Sequence, residues 1–209
     1  MKLAVFGATG KTGKHLLAQA LAEGNQVTVL MRNPNKLALQ HPRLTILQGE
    51  VGDAAKVEQT IAGADAVISV LGPTNKAPKF RISQGTEHII AAMKTKGIRR
   101  LVVSAGAGVG DPNDTPKLFN YFMNVMLKLM ARNVYEDMKR VVESVRLSEL
   151  DWTVVRVPML TDDVKTGKVR VGYVGNGIGP RLTRADMADF ILKQVRDRQY
   201  VRQAPAISN

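Results

Sequence analysis

The chain contains no cysteine among its 209 residues, and this absence excludes disulfide bonds, thiolate metal ligands and cysteine nucleophiles. Its three histidines lie far apart and lack the spacing of a zinc site, so no metal site is expected. No apolar run is long enough to cross a membrane. The first strand begins at once and leaves no room for a targeting peptide, so we expect a cytoplasmic protein.

Aromatic residues are also scarce, at 5% of the chain, and they form no ladder on which bases could stack. The net charge of +12 comes from lysines and arginines scattered along the chain rather than gathered in a basic tail. Nucleic acid is therefore not expected as a partner. The positive field either attracts a polyanionic small molecule, such as a phosphorylated cofactor, or is simply a solvated surface.

The first thirty-two residues carry the clearest pattern in the chain. Two apolar runs, 2–6 and 27–31, flank an amphipathic segment at 15–23. The loop that leaves the first run reads Gly7-Ala8-Thr9-Gly10-Lys11-Thr12-Gly13. Strand, glycine turn, helix and strand in this order form a βαβ unit that holds a dinucleotide pyrophosphate at the start of the helix. The glycines provide the tight turn, the close approach to phosphate and the close packing of helix on sheet.

Arg32 stands where the second strand ends and predicts which dinucleotide is bound. NAD-specific folds place Asp or Glu at this point for the ribose 2′-hydroxyl, whereas an arginine suits a 2′-phosphate. Neither Met31 nor Asn33 is acidic, and Lys36 could add a second positive charge. The pattern therefore favours NADP(H) over NAD(H).

The remaining chain alternates apolar runs with helical periodicity, which is typical of an α/β fold. Expected strands are 44–47, 66–71, 101–104, 152–157 and a short one at 169–171; expected helices are 53–62, 82–96, 118–130, 132–147 and 184–196. We expect one Rossmann-like domain over residues 1–209, a doubly wound parallel sheet in the order 3-2-1-4-5-6 with helices on both faces. The Met- and Phe-rich stretch 118–130 is either core, an apolar cover for a substrate or a dimer face, so a monomer or a homodimer is expected.

The glycine loop, Arg32 and the segment 150–158 (LDWTVVRVP) together resemble the atypical short-chain dehydrogenase/reductases. Within them the chain resembles the NAD(P)-binding, NmrA-like group and its small members related to biliverdin-IXβ reductase (flavin reductase). The resemblance implies an NADPH-dependent reductase of a small-molecule acceptor: a flavin, a bilin, a quinone or a carbonyl compound. After Ser104 the chain has Ala105 and Gly106 where the bilin and flavin reductases have Ser and Thr, which leaves the acceptor open.

The same resemblance implies a set of cofactor contacts beyond the loop and Arg32. They are Glu50, Val51, Leu71, Gly72, Ser104 and Pro158. It also implies a substrate region built from roughly 105–135 and 158–182. A non-catalytic NADP(H) sensor of NmrA-like type is the alternative function. A nucleotide-sugar epimerase is not expected, because the chain is too short for the usual separate substrate domain.

Tyr135 and Lys139 match the Tyr-x-x-x-Lys pair of the short-chain dehydrogenases, in which the lysine helps the phenol to transfer a proton. The spacing places both side chains on one face of a helix, and the pair follows the fifth strand as it does in the family. With Ser104 they are the candidate catalytic residues. An alternative mechanism needs none of them, because a flat acceptor can stack on the nicotinamide and take its proton from water.

Overall fold

The structure is a computed structural model, and it describes residues 1–37, 39–72, 80–115 and 132–209. The strands are β1 (Lys2–Phe6), β2 (Gln26–Met31), β3 (Leu44–Gln48), β4 (Ala66–Ser69), β5 (Arg100–Gly106), β6 (Asp151–Val157), β7 (Met159–Thr161), β8 (Arg170–Gly172), β9 (Arg181–Thr183) and β10 (Ala206–Ser208). The helices are α1 (Lys11–Ala22), α2 (Ala54–Ile61), α3 (Arg81–Thr95), α4 (Arg132–Arg146) and α5 (Arg184–Gln194).

Eight of these strands form one sheet in the order β3-β2-β1-β4-β5-β6-β10-β8. Within it only β8 runs antiparallel to its neighbour, so the predicted α/β class and the predicted order 3-2-1-4-5-6 are confirmed. β7 and β9 pair separately, in parallel. The sequence did not predict β7, β9 and β10, because three residues are too few to show the alternation of apolar and polar side chains in a strand. The extra strand expected at 169–171 is β8, one residue later.

Several predicted boundaries need correction. β4 ends at Ser69 rather than at residue 71, and the next residue, Val70, lies against Gly7. β5 continues to Gly106, since it pairs with β6 along its whole length; the prediction that the loop begins directly after Ser104 is therefore wrong. The helix expected at 118–130 lies outside the described residues.

Side chains of the sheet pack into two separate hydrophobic clusters, one on each face of the sheet. In β1, Leu3 and Val5 pack with α1 and α5, whereas Ala4 and Phe6 pack with α2, α3 and α4. All four side chains are at most 2% exposed. Because successive strand residues point to opposite faces, a continuous apolar run is what a strand buried on both faces requires. We call the two sides the α1/α5 face and the α2/α3/α4 face.

Helix caps place the helices relative to the sheet. Asp53 accepts from the Lys56 N–H at the start of α2, and Thr183 accepts from the Asp186 N–H at the start of α5. α3 is capped from another helix instead. The buried Asp137 carboxylate of α4 accepts from the first backbone N–H groups of α3, at 3.2 and 2.9 Å. α3 and α4 are therefore held together at the carboxyl edge of the sheet.

Candidate functional site

The glycine loop leaves β1 at the carboxyl edge of the parallel strands and enters α1. Gly7 has φ +91°, and a Cβ there would lie 2.7 Å from the carbonyl oxygen of Val70. A Cβ at Gly13 would lie 2.1 Å from the Gly7 carbonyl oxygen. The Gly10 N–H donates to that same oxygen at 3.1 Å. Gly7 and Gly13 therefore have to lack side chains for the loop to fold against the first turn of α1.

The N-terminus of α1 is open towards an anion. Its N-cap residue, Gly10, offers no side-chain cap, and its first turn contains no acidic residue. The exposed cations Lys11 and Lys14 lie there instead, although the helix dipole disfavours positive charge at this end. Thr12 is buried, and its hydroxyl contacts Met187 Sδ at 3.8 Å. A cradle of backbone N–H groups with nearby cations fits a pyrophosphate.

A cleft of about 130 Å³ opens beside this loop. It brings together six residues that were predicted to contact the cofactor: Gly7, Thr9, Arg32, Glu50, Val51 and Leu71. Arg32 is exposed, and no carboxylate in the described part of the chain forms an ion pair with it. Lys36 is also exposed, in the turn Pro34–Lys36. Both positive charges can therefore approach a 2′-phosphate.

Arg81 lines the same cleft from the start of α3 and was not predicted. Its guanidinium forms an ion pair with Glu50, so this carboxylate, a predicted cofactor contact, has a partner on α3. Val51 packs on α3 at Gly85, where a Cβ would lie 2.4 Å from Val51 Cγ2. The His88 ring lies 3.1 Å from the Val51 carbonyl oxygen. No local signal reveals Arg81, since Glu50 is 31 residues away in sequence.

Ala8, Gly72 and Pro158 are among the predicted cofactor residues that do not line the cleft. Ala8 is buried with 1% exposure in the α1/α5 cluster. Gly72 is exposed just beyond β4, and Pro158 is half-buried between β6 and β7. Their contact with a cofactor remains a prediction.

The candidate catalytic residues do not share a face of the sheet. Ser104 lies within β5, 8% exposed, in register with Val155, which packs in the α1/α5 cluster. Because residues in register point to the same face, Ser104 faces α1 and α5, whereas α4 packs on the other face together with Ala105. On α4, Tyr135 is half-buried and Lys139 is exposed. The expected position of Ser104 at the strand tip is wrong, since β5 runs two residues further.

One larger cavity lies at the opposite edge of the sheet from this site. Its volume is about 260 Å³ and it lies at the amino ends of β1 and β2, whereas ligands of open parallel sheets bind at the carboxyl ends. Within the described ranges, no cluster of three or more His, Asp or Glu side chains could hold a metal ion. None of the helices in those ranges has both the length and the apolar character that a bilayer crossing needs.

Comparison with known proteins gives relatives among reductases. The (4-alkanoyl-5-oxo-2,5-dihydrofuran-3-yl)methyl phosphate reductase of Streptomyces griseus is 30% identical over 109 residues, which cover 52% of this chain and 36% of that protein. The chain spans from 36% to 62% of the length of the first three curated relatives that it matches.

Solved structures match the whole chain. A short-chain dehydrogenase/reductase of Veillonella parvula, in complex with NADP, has a TM-score of 0.81 at 18% identity and covers 100% of this chain and 94% of its own. ChuY, an anaerobilin reductase of Escherichia coli O157:H7, has a TM-score of 0.79 at 21% identity and covers 100% and 97%. At such identities the likeness shows the shared fold.

A family model described as NAD(P)H-binding matches residues 7–198. The match begins at Gly7, includes Arg32 and Arg81, and extends beyond α5. The predicted nicotinamide dinucleotide cofactor is thereby confirmed. The chain belongs to the NAD(P)H-binding family and has the fold of the short-chain dehydrogenase/reductases, as the resemblance implied.

Proposed function

We propose that the chain is an NADPH-dependent reductase of a small-molecule acceptor, either a flat one of flavin, bilin or quinone type or a carbonyl compound. The observation that carries the proposal is the cleft that joins the glycine cradle to Arg32, an arginine without a carboxylate partner among the described residues. The relatives support it: the Streptomyces protein and ChuY are reductases, and the Veillonella structure contains NADP.

Cofactor choice rests on the positive side chains at the adenine end of the cleft. Arg32 lines the cleft just after β2 and Arg81 lines it from α3, paired with Glu50, while Lys36 is exposed in the turn that follows Arg32. A guanidinium can pair with a phosphate in two parallel hydrogen bonds, which a hydroxyl cannot match. We propose that Arg32 discriminates NADPH from NADH and that the Arg81–Glu50 pair borders the adenine.

Strand register relates Ser104 to the start of the glycine loop. Ser69 of β4 is in register with Phe6 of β1 on one side and with Val103 of β5 on the other. Ser104 follows Val103 and Gly7 follows Phe6, so Ser104 is level with Gly7 across the sheet. We therefore propose a cofactor contact for Ser104.

The proton has two sources in this proposal. Bound NADPH supplies the hydride, and the protein residues orient the acceptor, exclude water and direct the proton. Tyr135, half-buried on α4 with Lys139 one turn away, could donate a proton to the acceptor oxygen. If the acceptor is flat and stacks on the nicotinamide, water can provide the proton instead.

The test is NADPH oxidation in the presence of flavin, bilin, quinone and carbonyl acceptors, followed by absorbance. We expect turnover with at least one acceptor and a higher kcat/KM with NADPH than with NADH. Absence of turnover with all four classes would refute the reductase. Tyr135→Phe separates the proton sources, because loss of a general acid costs roughly 10²- to 10⁴-fold in rate, whereas an unchanged rate indicates water.

The alternative is a non-catalytic NADP(H) sensor of NmrA-like type, in which the nucleotide changes the choice of partner. Ser104 faces α1 and α5, whereas α4, which carries Tyr135 and Lys139, packs on the other face of the sheet; this arrangement is the observation that favours the alternative. Equal affinities for NADP⁺ and NADPH, no turnover and a nucleotide-dependent partner would support the sensor. We propose a monomer or a homodimer in either case.

A further inference from the structure

An ion pair beside the phosphate cradle connects the glycine loop to the chain after β7. Lys11 Nζ lies 2.7 Å from Asp162 Oδ2, and Arg184 Nη1 lies 2.7 Å from Asp162 Oδ1. The side chains of Lys11 and Asp162 are 69% and 57% exposed. A carboxylate therefore lies next to the helix end that fits a pyrophosphate and holds a lysine of its first turn.

Asp162 is held in place independently of Lys11. Arg184, which is only 19% exposed, binds the second carboxylate oxygen. The chain that follows Asp162 is hydrogen-bonded to α5, because the backbone N–H groups of Thr166 and Gly167 donate to the buried Asp186 at 2.9 and 2.8 Å. Loss of the Lys11 contact therefore leaves Asp162 with a partner and in its position.

Lys11 is the mobile member of the pair. Its ammonium group lies at the end of a flexible four-carbon stem, and it belongs to the first turn of α1, where the helix dipole disfavours a cation. A positive charge in this position gains from an anionic partner at short distance. The Asp162 carboxylate is that partner in the structure, and a pyrophosphate at the same helix end is a second one.

We propose that Lys11 exchanges partners. It pairs with Asp162 in the free protein and passes to the pyrophosphate when NAD(P)H binds, so that Asp162 sets cofactor affinity by competing for Lys11. The proposal rests on the nucleotide binding of the family and not on the acceptor chemistry. Because NADPH and NADH share the pyrophosphate, the competition weakens both equally, whereas Arg32 acts on NADPH alone.

The experiment measures the Kd of NADPH and of NADH by fluorescence titration at low ionic strength. Asp162→Asn should lower both Kd values by about two- to fivefold, the range that corresponds to one exposed ion pair. Added salt should reduce the effect, since both side chains are exposed. The matched control is Asp163→Asn, which removes the same charge from the exposed neighbouring residue and should leave both Kd values unchanged.

A double-mutant cycle isolates the exchange. Lys11→Met should raise both Kd values. In the Lys11→Met variant, Asp162→Asn should cause no further change in either Kd. If Asp162→Asn tightens binding by the same factor in both backgrounds, Asp162 repels the cofactor directly and the exchange is wrong. Weaker binding in Asp162→Asn, or an equal effect of Asp163→Asn, would also overturn it. If this Kd pattern holds while no acceptor is reduced, the reductase proposal fails and the exchange stands.

Discussion

Replacement of Asp186 by Asn should destabilise the protein by roughly 2 kcal/mol at neutral pH and by much less near pH 2. The carboxylate is completely buried at the start of α5. It accepts hydrogen bonds from the Thr166 and Gly167 N–H groups, the Thr183 hydroxyl and the Asn209 amide, at 2.7 to 3.0 Å. An asparagine of the same size would present its own N–H hydrogens to some of these donors.

The magnitude follows from the pKa of Asp186. Burial by itself raises this pKa, but hydrogen bonds from Thr166, Thr183 and Gly167 outweigh burial and lower the pKa from 3.8 to about 2. Each pKa unit corresponds to about 1.4 kcal/mol, so the shift is equivalent to roughly 2 kcal/mol of stability. Because the folded-state pKa is the lower one, this contribution is complete above about pH 5 and is lost as the pH falls through 2.

Urea unfolding of the wild type and of Asp186→Asn between pH 2 and 7 tests the argument. The difference in free energy of unfolding should be constant above about pH 5 and should shrink progressively below about pH 4. A difference that stays the same at pH 2 and pH 7 would show that packing, not ionisation, accounts for the loss. Asp189→Asn on the same helix is the control: its ion pairs with Lys165 and Lys193 are partly exposed, so it should cost less than about 1 kcal/mol.

Three further predictions concern the site. Gly13→Ala should destabilise the protein by about 1 to 3 kcal/mol in urea unfolding, because its Cβ would lie 2.1 Å from a backbone oxygen; unchanged stability would contradict the packing. Arg32→Ala should raise the Kd of NADPH about 10- to 100-fold and leave that of NADH unchanged; an equal loss for both would contradict the 2′-phosphate role. Gly175→Ala should raise the acceptor KM, because a Cβ at this position would lie 1.8 Å from the Thr115 carbonyl oxygen. Gly177→Ala is the control and should leave the KM unchanged, since Gly177 also has a positive φ but a Cβ there would meet no atom within 4 Å. Equal KM values for the two variants would show that the contact between Gly175 and Thr115 does not shape the acceptor site.

Much of the fold could be predicted because its determinants are local in sequence. A strand covered on both faces has to be apolar throughout, so the runs that became β1, β2, β4 and β5 stand out without reference to partners. Their order follows from the right-handed connections of alternating strands and helices. The glycine loop is equally local, since Gly7 and Gly13 meet through a single turn of chain.

The tertiary structure alone decided which side chains meet. Arg81 reaches Glu50 and Asp162 reaches Lys11 across 31 and 151 residues of sequence, and no periodicity encodes such contacts. The face of Ser104 depends on strand register, in which a shift of one residue reverses every side chain. The sequence by itself thus determined the sheet, the cofactor cradle and the positive charge at Arg32. Packing determined that Asp162 pairs with Lys11 at the cradle and that Ser104 and α4 belong to different faces of the sheet.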